Sequence, residues 1–271
     1  MKIQHPEQIK LIVSDIDGTI LPYNDKHIPE EIYPLIQQLH EKGIRFMIAS
    51  GRDASGIREL FHPVRDIIGY VAGNGTFYVE GKNIIFTQPF HQSYIREFLD
   101  SIKDDSNLMP VIMTEGDYYI IIDGSEESKE TQRMIAEKKA GVPYREVRSV
   151  KDIEDVICKL GIYQNRILDA AEVQVLRDKW TELELVCGGG QWLDVTQKGS
   201  NKGTAIEKVL EIHHWGPENL MTFGDNENDL QMLSLAKYGY AVAGAAECAK
   251  EAASFQCDSV PEVLRDLLEL L

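Results

Sequence analysis

Long apolar runs are absent from this sequence, and cysteine is scarce. No run approaches the roughly 20 residues that a membrane-spanning helix needs. The first ten residues are mostly polar and lack the apolar segment of a secretory signal peptide, so no such peptide is expected. Only four cysteines occur, and no two have the C-x-x-C spacing of zinc and redox motifs. Reduced thiols in the cytoplasm fit this cysteine usage best.

Positive charge is also in short supply. Lys and Arg number 28 against 44 Asp and Glu, which gives a formal net charge of -16 at pH 7. Nucleic acids and anionic membranes are recognised by basic faces, so we expect neither as a partner. A local cationic pocket could still bind an anionic substrate, and a divalent cation could neutralise several of the acids. The apolar fraction of 43% allows a sizeable core, in one large domain or two smaller ones.

Short apolar runs alternate with helical patterns in the first and last parts of the chain. The first part predicts strands beginning at 11, over 44–49 and over 67–72, and helices over 28–42 and 54–61. The last part predicts helices over 202–211, 230–236, 245–253 and 261–271, and strands over 220–223 and 238–242. This alternation is typical of an α/β fold with a doubly wound, mostly parallel sheet, which binds ligands at the carboxyl ends of its strands.

The middle of the chain has a different rhythm. A hairpin over 76–87 turns at 80–83 and leads into mixed elements. These are helix candidates over 91–103, 129–139 and 170–180, and strand candidates over 109–114, 118–123, 156–162, 182–187 and 191–195. The mixture predicts an inserted α+β domain. We assign residues 1–84 and 191–271 to the α/β core and residues 85–190 to the insert.

Two aspartates follow the first predicted strand, one residue apart. Side chains at i and i+2 of an extended chain lie on the same side, so Asp15 and Asp17 should project together. Crowded carboxylates repel each other unless a cation or a shared proton intervenes. Gly18 permits an abrupt turn, and the Thr19 hydroxyl can bond to neighbouring backbone. On its own, an Asp-rich turn explains the stretch equally well.

Further polar groups stand at predicted strand ends or helix starts. Asp225 and Asp229 supply a second acidic pair, and four acids at one sheet edge require a hard cation with oxygen ligands, preferably Mg²⁺. Ser50 and Lys202 can bind phosphate oxygens, which together with Mg²⁺ is the equipment of phosphoryl transfer. Taken singly, these segments are also explained as capped turns or a solvated lysine. Their coincidence in order favours the functional interpretation.

Four segments together resemble the motifs of the haloacid dehalogenase-like (HAD) superfamily of phosphohydrolases, in particular its Cof-type members with a large C2-class cap. The matching segments are Asp15-Ile16-Asp17-Gly18-Thr19, Ser50-Gly51-Arg52, Lys202 within 198–203, and residues 224–229. Asn74-Gly75 also matches a family feature at the junction of core and cap. The resemblance covers nearly the whole chain. It departs at 244–246, which read Gly-Ala-Ala where an Asn-Ala pair is usual, and at 258–261, which replace a Gly-Val segment.

The resemblance implies a role for each matched residue. Asp15 would be the nucleophile that forms an aspartyl-phosphate, and Asp17 the general acid and base, which requires a raised pKa. Mg²⁺ would be held by the Asp15 and Asp225 carboxylates and by the backbone carbonyl of Asp17, with Asp229 behind them. Ser50 and Lys202 would complete the catalytic set. The phosphate would be bound by groups of Ile16, Ser50, Gly51, Lys202 and Asn228.

The expected function is therefore a Mg²⁺-dependent phosphohydrolase that acts, in the cytoplasm, on a small phosphorylated metabolite such as a sugar phosphate or a phosphorylated cofactor. A phosphosugar mutase or phosphotransferase on the same scaffold is an alternative, and phosphate release without an acceptor would separate the two. A non-catalytic sensor that binds metal and phosphate is a second alternative. The intact pair of Asp15 and Asp17 counts against the sensor.

Overall fold

The computed structural model describes residues 3–22, 27–81, 83–114, 117–122, 144–187 and 191–271. The helix predicted over 129–139 lies outside these residues. The chain divides into two compact units, the first formed by residues 1–86 and 201–271 and the second by residues 87–200. Within the described ranges, none of the helices is long and apolar enough to cross a membrane.

Strands and helices are numbered here in chain order over the described residues. The strands are β1 (Leu11–Ser14), β2 (Arg45–Ala49), β3 (Gly69–Ala72), β4 (Phe77–Glu80), β5 (Asn83–Thr87), β6 (Leu108–Thr114), β7 (Tyr118–Ile121), β8 (Tyr144–Val147), β9 (Ile157–Gln164), β10 (Leu183–Cys187), β11 (Trp192–Gln197), β12 (Leu220–Gly224), β13 (Tyr238–Val242) and β14 (Phe255–Cys257). The helices are α1 (Ile32–Glu41), α2 (Ala54–Leu60), α3 (Gln92–Ile102), α4 (Ala170–Lys179), α5 (Lys202–His213), α6 (Leu230–Leu235), α7 (Glu247–Ala252) and α8 (Val260–Leu270).

The first unit is organised around the central strand β1. Its sheet has the order β14-β13-β12-β1-β2-β3-β4-β5. Leu11 pairs in parallel with Leu220 of β12 on one side and with Arg45 of β2 on the other. All four residues of β1 are buried, as its apolar run predicted. The carboxyl ends of β1, β2 and β12 therefore lie at one edge of the sheet, which confirms the predicted doubly wound α/β class.

Helix α5 shows how the sequence builds the layer next to this sheet. It begins after Asn201, whose side chain accepts a hydrogen bond from the Thr204 amide and so caps the first turn. Its apolar face packs in a core cluster with β1, β2, β3 and β12, and the buried residues of that face are Ala205, Ile206, Val209 and Leu210. The cap and the apolar face together fix which residue opens the helix, and that residue is Lys202.

The second unit contains a six-stranded sheet with the order β10-β11-β9-β6-β7-β8. Its neighbours run antiparallel except for β7 and β8, which are parallel. Helices α3 and α4 contribute Ile95, Phe98 and Val173 to a core cluster with the strands. Lys159 of β9 and Asp194 of β11 form a buried ion pair with an N–O distance of 2.8 Å.

The second unit is longer than the insert predicted at 85–190, and the core segment predicted to start at 191 starts at 201 instead. The reason is β11, which pairs antiparallel with both β9 and β10 and so carries residues up to 200 into the second unit. Two short strands, β8 and β14, were not predicted at all. Both are recognisable only by their partners, since β8 pairs with β7 and β14 with β13.

Candidate active site

Asp15 lies directly beyond the carboxyl end of the central strand. Its backbone amide donates to the Phe223 carbonyl at 3.0 Å, which continues the pairing of β1 with β12. Its own carbonyl accepts a hydrogen bond from the Ser14 hydroxyl at 2.8 Å. The side chain is buried. The sheet therefore holds this carboxylate in one position, at the edge where strands of this class bind ligands.

Lys202 joins two carboxylates that come from different parts of the chain. Its Nζ donates to Asp15 Oδ1 at 2.7 Å and to Asp229 Oδ1 at 2.6 Å. The lysine side chain is fully buried, and so is that of Asp229. Because an unpaired buried ammonium is very costly, these two charge-assisted bonds are what allow Lys202 to occupy the site.

Asp229 is held by the protein on both of its oxygens. Oδ1 accepts from Lys202, and Oδ2 accepts from the backbone amides of Asp225 at 2.9 Å and Asn226 at 3.1 Å. Asp225 in turn accepts a hydrogen bond from the Thr19 hydroxyl at 2.7 Å. The 224–229 loop is thus closed on itself by Asp229 and attached to the turn after β1 by Asp225.

Burial and the charges of neighbouring residues shift the pKa values of this cluster, in part in opposite directions. Burial raises the pKa of the Asp15 carboxyl well above its usual range, Lys202 opposes this rise, and the charges of Asp229 and Asp225 add to it. For Lys202 burial lowers the pKa, but attraction to Asp15 and Asp229 outweighs it, so that the pKa of the ammonium lies above its usual range. Three carboxylates around a single ammonium leave an excess of negative charge in a buried place.

The same carboxylates form a donor set that fits a metal ion. Oxygens of Asp15, Asp225 and Asp229 lie within 4.8 Å of one another. Hard oxygen ligands at this spacing suit Mg²⁺, and a divalent cation would relieve the excess negative charge. Asp229 is the member whose two oxygens already accept three hydrogen bonds from the protein, so Asp15 and Asp225 are better suited to contact a cation directly.

Groups that could bind phosphate surround Asp15. The Ile16 carbonyl accepts from the amides of Thr19 and Leu21, while within the described residues the Ile16 amide itself donates no hydrogen bond. Ser50 is buried at the end of β2, where its Oγ accepts from the Arg52 amide at 3.2 Å. A backbone amide without a protein acceptor at a strand-end turn is suited to an anionic oxygen.

Asp17 pairs with Arg52 and, among the described residues, makes no hydrogen bond to the side chains of the buried cluster. Strand β1 ends at Ser14, and Asp17 lies in the following turn, bridged to Leu21. Its carboxylate accepts two hydrogen bonds from Arg52, from Nε at 2.8 Å and from Nη2 at 2.6 Å. The side chains of Asp17 and Arg52 are 44% and 37% exposed. Bidentate pairing with a guanidinium fixes the position and orientation of this carboxylate.

Asn228 contacts the junction between β3 and β4. Its Nδ2 donates to Asn74 Oδ1 at 3.1 Å, and Asn74 adopts a left-handed backbone conformation with φ 58°. The next residue, Gly75, has φ 102°, and a Cβ there would lie 2.2 Å from the Asn201 carbonyl oxygen. Gly75 is therefore required for the close approach of this turn to the residue that caps α5.

The structure brings most of the candidate residues together. Asp15, Lys202, Asp225 and Asp229 share the buried cluster, and Asn228 lies in the same loop as the last two. Asp17 pairs with Arg52, whose charge also interacts with Asp15. Thr19 was expected to bond to local backbone, but its hydroxyl reaches a side chain 206 residues away.

The chain belongs to the haloacid dehalogenase-like hydrolase family, because the sequence model of that family matches residues 12–263. This confirms the family that the four motifs predicted, and with it the prediction of an enzyme.

Individual relatives match over nearly their whole length. YkrA of Bacillus subtilis (strain 168) is 28% identical over 262 residues, which cover 93% of each chain. YbjI of Escherichia coli (strain K12), named a 5-amino-6-(5-phospho-D-ribitylamino)uracil phosphatase, is 24% identical, and the match covers 93% of this chain and 91% of YbjI. A crystal structure of a Eubacterium rectale protein has a TM-score of 0.82 at 28% identity and covers 97% of this chain and 100% of that one. Family and relatives together confirm the predicted enzyme class, a phosphatase of this family.

Proposed function

We propose that this phosphatase is a Mg²⁺-dependent enzyme that hydrolyses a small phosphorylated metabolite through an aspartyl-phosphate on Asp15. The observation that carries the proposal is the buried ammonium of Lys202 between Asp15 and Asp229, with Asp225 close by. Phosphoryl transfer needs a positioned nucleophile and neutralisation of charge on the phosphoryl oxygens. The cluster offers the Asp15 carboxylate, which the central strand positions, and the Lys202 ammonium, which its two hydrogen bonds already hold in place.

In the first half-reaction, Asp15 attacks phosphorus in line with the leaving oxygen. Lys202 holds Oδ1 of Asp15, which orients the carboxylate for attack through Oδ2. Asp17 gives a proton to the leaving oxygen as the phosphorus–oxygen bond breaks. In the second half-reaction Asp17 takes a proton from water, the water attacks phosphorus, and inorganic phosphate leaves Asp15 in its original form.

Arg52 has a part in this scheme because of its contact with Asp17. Both carboxylate oxygens of Asp17 accept a hydrogen bond from Arg52. Arg52 therefore fixes the position of the carboxylate that would exchange protons with the leaving oxygen and with water. The pair is partly exposed, so its loss should cost little stability by comparison with that of a buried ion pair.

The Asp15 and Asp225 carboxylates and the Asp17 carbonyl would hold Mg²⁺, while Asp229 fixes the loop behind them. When bound, the cation supplies positive charge that offsets the charge of the phosphoryl group and of the carboxylates. The Ile16 amide, Ser50, Gly51, Lys202 and Asn228 would contact the phosphate. Of these, the fully buried Lys202 is held most firmly.

We further propose that the second unit, residues 87–200, is the cap that selects the substrate. It is inserted in the sequence between β5 and α5, so the core is complete without it. The name of YbjI describes a phosphorylated ribityl compound, which supports a phosphorylated sugar or cofactor precursor as the substrate class here. Thiols at all four cysteines fit the proposed cytoplasmic location.

The test is phosphate release by the purified protein with Mg²⁺ across a panel of phosphorylated metabolites, without any added acceptor. Wild type should release phosphate from at least one sugar phosphate or cofactor precursor. Asp15→Asn should abolish release and leave the fold unchanged, because the amide has the shape of the carboxylate and is not a nucleophile. Asp66→Asn is the matched control, since Asp66 is 74% exposed in the first unit and lies outside the catalytic cluster, and its activity should equal that of wild type.

Two outcomes would contradict the proposal. Full activity of Asp15→Asn would exclude Asp15 as the nucleophile. Phosphoryl transfer to an added sugar, with no phosphate released in its absence, would assign the chain to the phosphotransferase alternative.

A further inference from the structure

The turn after β3, residues 73–76, is packed against two segments of the candidate active site. The Asn74 amide donates to the Ser50 carbonyl at 2.9 Å, which ties the turn to the end of β2. A Cβ at Gly75 would lie 2.2 Å from the Asn201 carbonyl oxygen, so the turn also lies against the residue that caps α5. Both segments supply groups that we propose as phosphate contacts.

The Asn74 side chain reaches a third such segment, the 224–229 loop. Its Oδ1 accepts a hydrogen bond from Asn228 Nδ2 at 3.1 Å. Asn74 is only 4% exposed, whereas Asn228 is half-buried. A side-chain amide is planar and carries two N–H donors, so a hydrogen bond on one donor fixes the direction of the other. The contact therefore orients the Asn228 amide.

The backbone of this loop is held without help from Asn74. Asp229 Oδ2 accepts from the amides of Asp225 and Asn226, at 2.9 and 3.1 Å, and closes the loop on itself. The position of the Asn228 backbone is thus set within the loop. What Asn74 adds is the direction of the Asn228 side chain.

The backbone conformation of Asn74 offers a purely structural reason for an asparagine. Its φ of 58° lies in the left-handed region, where asparagine is more common than most other residues. Glycine adopts this conformation at least as readily. If the backbone were the whole reason, glycine would replace Asn74 without loss of function. If the side-chain contact matters, the same replacement should impair the site.

We propose that Asn74 is a positioning residue of the phosphate site and acts through Asn228. It holds one N–H of the Asn228 amide, and the second N–H then donates to an oxygen of the phosphate. The proposal rests on the proposed function, because it requires Asn228 to contact the phosphate.

Isothermal titration of the full chain with inorganic phosphate, in the presence of Mg²⁺, tests the proposal. Asn228→Ala should weaken phosphate binding about tenfold, the effect of losing one good hydrogen bond to a charged group. Asn74→Gly should weaken it roughly three- to tenfold, because a misdirected amide makes a poorer hydrogen bond. Circular dichroism should confirm that the fold of each variant is unchanged.

The double variant separates positioning from a general structural role. If Asn74 acts through Asn228, adding Asn74→Gly to Asn228→Ala should weaken phosphate binding no further. In turnover, Asn74→Gly should raise KM by about the factor found for phosphate and change kcat less, because Asn228 would contact the phosphate both before and during the reaction.

His214→Gly is the matched control. His214 is an exposed residue with φ 56° at the end of α5, so this variant also removes a side chain from a left-handed position, and its phosphate binding should equal that of wild type. Wild-type affinity in Asn74→Gly, a further loss in the double variant, or equal weakening in His214→Gly would overturn the role of Asn74. Phosphate binding that depends on Asn74 in a protein that hydrolyses no substrate of the panel would support this role and overturn only the proposed hydrolysis.

Discussion

Replacement of Lys202 by Met removes the ammonium between Asp15 and Asp229 and leaves both carboxylates buried. The lysine is fully buried and donates two short hydrogen bonds to them, at 2.7 and 2.6 Å. Removal of one partner from a buried ion pair costs about 3–5 kcal/mol, because the remaining charge loses its compensation. A typical domain has a free energy of unfolding of about 5–15 kcal/mol, so this variant should lose a large part of the stability of the first unit.

The pH dependence of this loss has a definite sign. Burial already raises the pKa of Asp15, and Lys202 is the group that opposes the rise. Without Lys202 the folded-state pKa of Asp15 lies further above its unfolded value. The penalty for the ionised carboxylate is then present above the folded pKa and is relieved as the pH falls through it. The stability deficit of Lys202→Met should be largest near neutral pH and should shrink toward pH 4.

Urea unfolding in EDTA is the assay, with Trp180 and Trp192 replaced by Phe so that Trp215 reports on the first unit. Lys208→Met, an exposed position on the same helix, is the control and should change the free energy of unfolding by less than about 0.5 kcal/mol. Addition of Asp229→Asn to Lys202→Met should recover part of the loss. A deficit below about 1 kcal/mol, or one that does not vary between pH 4 and pH 7.5, would refute the electrostatic account.

Three other substitutions test separate parts of the structure. Asp17→Asn should lower kcat by roughly 10²–10⁴-fold and let the phosphorylated enzyme accumulate in rapid-quench experiments, and an unchanged rate would remove its acid/base role. Arg52→Met should change the free energy of unfolding by less than about 1 kcal/mol, as for other exposed pairs, yet lower kcat more than tenfold, because Arg52 positions Asp17, and an unchanged kcat would contradict this. Asp194→Asn should destabilise the second unit by about 3–5 kcal/mol in urea unfolding, because it leaves Lys159 without the carboxylate at 2.8 Å, and a loss below 1 kcal/mol would contradict this.

The sheet of the first unit could be predicted from sequence because its signals are local. The apolar run of β1 and the capped, amphipathic pattern of α5 each lie within a dozen residues, and parallel connectivity follows from their alternation. The strand β14 could not be found this way. It has three residues, Phe255–Cys257, and is defined by pairing with β13. The end of the second unit at residue 200 could not be predicted either, because it depends on which strands β11 pairs with.

For the candidate site too, the sequence predicted where residues would lie but not which residues they would contact. The predicted strand ends placed Asp15 and Asp225 at the carboxyl edge of the sheet, where such sheets bind ligands, and the two residues do lie close together. Sequence did not predict that the Thr19 hydroxyl would donate to the Asp225 carboxylate, and it did not identify Asp17 as the partner of Arg52. Those contacts join residues whose separation along the chain carries no periodic signal. They are decided by tertiary packing at the turn after Ser14.

Strand β1 also has a consequence for how the chain is made. Its two neighbours are β2, which follows closely, and β12, which is translated about 200 residues later. At typical rates of synthesis of about 5–20 residues per second, the Leu-Ile-Val edge of β1 waits roughly 10–40 s for the strand that will cover it. During that time one side of β1 is exposed in the nascent polypeptide, because its partner strand has not yet been made. Chains released before Leu220 should therefore aggregate or depend on chaperones.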